Sequence, residues 1–95
     1  MSTMENKMVY VLKVQSEHEE YTTSSEIIGV YSDKEHARKQ MKEYFDEELE
    51  EWKSEYDYHD DDLKIQKGSD ICSIFDKVNG IRYTEFVVVG FEVED

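Results

Sequence analysis

The stretch IIGVYSDKEHARKQMKEYFDEELEEWKSEY, residues 27–56, decides how this chain folds. Its first five residues are β-branched or aromatic around one glycine, which reads as a strand over 26–31. Ser32 follows, with Glu35 three residues on, the spacing at which a hydroxyl and a carboxylate satisfy a helix's first amide donors reciprocally. Asp33 adds negative charge where the helix dipole is positive. Ala37, Met41, Tyr44, Phe45, Glu48, Leu49, Trp52 and Tyr56 then recur every three or four residues, and all but Glu48 are apolar or aromatic. That pattern predicts one amphipathic helix of about six turns, laying a single stripe on a sheet and fraying over 56–59.

Strands are expected on both sides of it. Residues 8–14, MVYVLKV, are nearly all apolar and suggest an interior strand. Residues 16–25 are polar and without period, which reads as a long hairpin loop, and Gly29 marks a bulge or a close backbone approach. After the helix, 63–67 alternate and form either a short strand or an ordered connection. Gly68-Ser69-Asp70 is a turn and 71–78 a strand. Asn79-Gly80 predicts a type I′ turn into a final strand over 81–93. The expected order is β-β-α-(β)-β-β: an α+β fold with an antiparallel sheet of four to five strands and one long helix packed on one face. Residues 1–7 read as a flexible N-terminus and 8–95 as a single domain. One helix leaves the far sheet face open, which suggests a homodimer through that face or through the 86–93 edge.

The segments VYVLKV and IIGVYSDKEHARKQM resemble a theme among small uncharacterised bacterial and phage α+β proteins. In these a short hairpin ends in a G-V-Y/F-S turn that caps a helix with Glu and Ala early on. The resemblance covers residues 9–41 and implies a fold and a viral or bacterial setting, with no activity attached.

The 95 residues carry 24 acids against 11 Lys and Arg, a net charge of −13. Direct nucleic-acid binding, which needs basic groups to displace phosphate counterions, is excluded, as is an anionic membrane. A basic partner is favoured, or plain solubility. No run of about 18 apolar residues marks a membrane span. Residues 1–7 lack the apolar core of a signal peptide, so a reducing cytoplasm is expected. The single Cys72 sits in an apolar run and reads as core.

Few residues suggest chemistry. The four glycines are scattered, so no phosphate loop exists, and one Cys cannot make a paired-Cys zinc site. His59-Asp60-Asp61-Asp62 lacks the glycine and spaced glutamate of a calcium loop and reads as a solvated charge run. No nucleophile, base and oxyanion donor fall into a recognisable arrangement, so the expectation is a non-enzyme without cofactor or metal.

What remains is residues 46–62, where ten carboxylates face one Lys53 and carry −9 of the −13. Glu47, Glu51 and Glu55 form one helical column whose members repel, a cost to the helix that argues for a purpose. Two readings stand. In the first the protein is an acidic inhibitor from a phage or mobile element. It mimics nucleic acid toward a basic nucleic-acid-binding host protein through Glu47, Glu50, Glu51, Glu55 and Asp57, extended by Asp60, Asp61 and Asp62. Trp52 and Tyr58 are candidate anchors, though Trp52 fits the core stripe better, and the acidic loop 17–21 is a second surface. In the second it is a small homodimeric structural or regulatory module whose acidity serves only solubility.

Overall fold

A computed structural model describes residues 7–18, 22–80 and 82–93. The fold is α+β: a five-stranded antiparallel sheet with one helix packed against it. β1 (Lys7–His18), β2 (Thr22–Tyr31), α1 (Lys34–Glu55), a 3-10 turn (Asp60–Asp62), β3 (Leu63–Lys67), β4 (Ile71–Asp76) and β5 (Arg82–Val93) follow in chain order. The sheet order is β2-β1-β5-β4-β3. β1 is therefore interior, paired to β5 along its whole length from Lys7↔Val93 to His18↔Arg82. β5 is the middle strand, but β4 pairs with it only from Tyr83 to Val87, so on that side 89–93 has no strand partner among the described residues and part of the expected 86–93 edge is open. The expected flexible segment 1–7 lies outside the described residues except for Lys7, which begins β1.

The polar stretch 16–25 is mostly strand, not loop. β1 and β2 stay in register out to His18↔Thr22, because the backbone ladder continues where side chains have no core to join. Residues 19–21 lie outside the described residues. The ladder slips by one residue between Leu12 and Lys13, opposite Gly29 and Ile27. The bulge therefore sits at Ile28, beside the predicted Gly29, and Ile28 packs on the core. The Tyr31 ring lies over Gly29, so a side chain there would have to push that ring aside.

The helix is capped one residue later than the Ser32 pattern predicts. Asp33 is extended (φ −119°), and its Oδ1 accepts from the Glu35 amide at 3.2 Å. Glu35 spends its carboxylate on Arg38 at 2.8 Å, and Arg38 also reaches Asp70 at 2.8 Å, tying the helix start to the β3–β4 turn. The helix ends cleanly at Glu55. Asp57 adopts φ 58°, the left-handed conformation that closes helix ends.

The helix stripe buries Ala37, Met41, Phe45 and Trp52 against Leu12, Cys72, Ile74, Phe86 and Val88 of the sheet. Tyr44 and Tyr56 fall at its margin and are exposed. The Asn79-Gly80 turn is not type I′. Only Gly80 has positive φ (68°), and its amide donates to the Asp76 carbonyl at 2.8 Å. The corner is organised by the fully buried Asp76 side chain. Its Oδ1 accepts from the Val78 and Asn79 amides at 3.1 and 3.0 Å, and its Oδ2 from the Tyr58 hydroxyl at 2.7 Å. Burial pushes the Asp76 carboxyl up, but the hydrogen bonds from Asn79, Tyr58 and Val78 outweigh it and hold the group below the usual carboxylate range. No helix of the described chain is long and apolar enough to cross a membrane.

Candidate functional site

The acidic half of α1 runs alongside the β1–β2 hairpin, and a groove of about 570 Å³ lies between them. Val14, Ile28 and Phe86 give it an apolar surface, since alternate residues of β1 and β5 point toward the helix. Four carboxylates line it: Glu47, Glu48 and Glu51 from the helix, and Glu26 from β2. Ser16 and Ser24 add hydroxyls, with Ser16 Oγ 3.4 Å from Thr84 Oγ1.

The carboxylates here are barely neutralised. Among the described residues, ion pairs within 4 Å engage Glu35, Asp46, Asp60 and Asp70, and none engages Glu47, Glu50, Glu51 or Glu55. The negative charge of Glu48, then that of Glu55, pushes the Glu51 carboxyl above the usual carboxylate range, against the pull of the Arg82 guanidinium. Glu48 accepts a hydrogen bond from the Trp52 indole at 3.0 Å, which places this carboxylate at the groove.

The eight residues singled out by charge patterning therefore separate into two groups. Glu47 and Glu51 share the groove, and Glu55 adjoins Glu51 one turn on. Glu50 is exposed on the helix and acts electrostatically on Lys53. Asp57 lies past the helix end, so it does not continue a helical row. Asp60 pairs with Lys53 at 2.6 Å and raises the lysine's pKa. Asp62 accepts from the His59 amide at 3.0 Å inside the 3-10 turn, while Asp61 is exposed. Trp52 is fully buried and belongs to the core. Tyr58 is half-buried, tilted on Trp52 at 5.3 Å and tied to Asp76. Of the second acidic surface, Glu17 is exposed in β1, and residues 19–21 lie outside the described residues.

Sequence reasoning missed Glu26 and Glu48. Glu48 was legible as a polar break in an apolar stripe. Glu26 was not, because its position depends on the β1–β2 register, Val14↔Glu26. Among the described residues no three of His, Cys, Asp and Glu gather as a metal-holding group. The Cys72 thiol is fully buried, and burial pushes its pKa up, away from thiolate chemistry. An apolar surface under a carboxylate rim accepts an amphipathic cation, with a lysine or arginine stem on the hydrocarbon and its head among the oxygens. Comparison with protein-family models, with curated proteins and with solved structures gives no match.

Proposed function

We propose that the protein is a non-enzymatic inhibitor that presents the carboxylate face of α1 and its adjoining groove to a basic, nucleic-acid-binding protein. The observation that carries this reading is the barely neutralised row Glu47, Glu51 and Glu55, joined at the groove by Glu26 and Glu48 from two different elements. Residues four apart on a helix are separated by about 6 Å along its axis, similar to the spacing of successive phosphates on a strand. Such a row offers a basic cleft the charge pattern it meets on nucleic acid. The groove adds a slot for one arginine or lysine side chain, so that docking is anchored as well as steered.

The test has two stages. Proteins retained on the immobilised domain at low salt and released at high salt are identified, and each is then loaded with its own DNA or RNA. Addition of the domain displaces the nucleic acid, with an affinity that falls steeply with salt. The Glu47→Lys, Glu51→Lys, Glu55→Lys triple variant loses the displacement. Displacement that survives this triple reversal refutes the reading.

A further inference from the structure

We infer that the helix-free face of the sheet is a homodimer interface, on which a second copy of this chain packs sheet to sheet. α1 covers one face only. By register, Val11, Ile27, Val30, Val87, Val89 and Phe91 all point to the other face, from three adjacent strands. Ile27, Val30 and Phe91 are 62%, 60% and 47% exposed. A contiguous apolar area of this kind on an otherwise charged chain marks an interaction surface.

Charge selects the occupant. The charged residues whose register points to this face are Lys7, Lys13 and Lys64 against Glu17 and Glu85, a balance of +1 on a chain of −13. With its charges nearly balanced, the face offers a basic protein no net negative charge, and its single net positive charge is too little to hold nucleic acid. A second copy brings the same apolar area and the same near-balanced lysines and glutamates, which is what an isologous contact requires. Packing sheet on sheet also puts the two acidic helices on opposite outer faces. Two sheets and two helices at about 10 Å per layer separate the carboxylate rows by roughly 30 Å, several Debye lengths at physiological salt. The repulsion that opposes association of so acidic a chain is thereby screened.

Area agrees. Strands of 12, 10, 5, 6 and 12 residues, at about 3.4 Å per residue and about 4.8 Å per strand, make a face of roughly 700 Å². That is close to the ~800 Å² per partner of a stable interface. The dimer is independent of the proposed inhibitor role and would display two carboxylate rows facing opposite ways.

Sedimentation equilibrium of the full chain tests it, from about 1 to 200 µM at physiological salt. The expected mass is twice the 11.3 kDa of one chain. Ile27→Lys and Val30→Lys alter side chains already exposed in the monomer, so they fold, as far-UV circular dichroism checks. Each weakens dimerisation by about 100-fold or more. Glu47→Lys, on the opposite face, leaves the dimer constant within about threefold. A wild-type monomer throughout the range overturns the proposal. So does a dimer whose constant is unmoved by both face variants, since that dimer pairs elsewhere, as through the β2 edge.

Discussion

Removing the Asp76 carboxylate tests most directly what holds the far corner of the sheet together. Asp76 is fully buried and accepts three hydrogen bonds, one from the Tyr58 hydroxyl and two from the Val78 and Asn79 amides. A hydrogen bond to a charged acceptor contributes about 1.5–3 kcal/mol when its donor is left stranded. Here Val78 and Asn79 are exposed and Tyr58 only half-buried, so water replaces part of each loss and about 1 kcal/mol per bond is the better figure. Asp76→Ala is therefore expected to cost about 3 kcal/mol and Tyr58→Phe about 1 kcal/mol. The double variant should cost less than the sum, because one bond is counted in both. Urea unfolding followed by fluorescence measures this, with Trp52, the only tryptophan and fully buried, as the reporter. The pH dependence has a definite sign. The folded carboxyl is held low, so its contribution is whole above the unfolded value of about 3.9 and is lost as pH falls through the folded one. Asp76→Asn should flatten that acid limb. A loss under about 1 kcal/mol for Asp76→Ala, at unchanged urea dependence, refutes the idea that this carboxylate organises the corner.

Three other outcomes are expected. Gly80→Ala, at φ 68°, should cost about 1 kcal/mol in the same unfolding assay. Glu51→Gln should raise stability by about 0.5 kcal/mol at neutral pH by removing two like-charge helical neighbours. Because the folded Glu51 carboxyl is raised, the gain should fade as pH drops through that raised value and the wild-type group takes up its own proton. Cys72, buried and with its thiol pushed up, should react with an aromatic disulfide reagent only as fast as the protein opens, so the rate should rise with urea and fall to near zero without it.

The helix, its buried stripe and the strand order around it were legible because they rest on local patterns. Ala37, Met41, Phe45 and Trp52 repeat with the helical period, and residues 8–14 of β1 are apolar or aromatic except Lys13. The outer hairpin was not legible. Residues 15–18 and 22–25 are too polar to signal a strand, and they pair because a neighbouring ladder carries them along. The Asn79-Gly80 pair pointed to a two-residue turn, but Asp76 supplied a competing set of hydrogen bonds, and a side-chain cap outweighed a backbone preference. Ser32 yielded to Asp33 for a similar reason, since the carboxylate one residue later also meets a free helix amide. The acidic helix face was visible as composition. The groove was not, because Glu26 reaches it only through long-range register.

The hairpin that runs past the helix also shapes how the molecule moves through solvent. The structure measures 60 × 26 × 17 Å, with a Cα radius of gyration of 16.1 Å, against about 12 Å for a compact chain of this length. A blade of these proportions diffuses more slowly than a sphere of equal mass. On a gel-filtration column calibrated with globular standards it elutes early, and a single copy registers as something heavier. Mass therefore has to come from sedimentation equilibrium or light scattering, where shape cancels. Small-angle scattering then tells a lone blade from two stacked back to back: stacking doubles the mass and thickens the particle, while its longest dimension hardly grows.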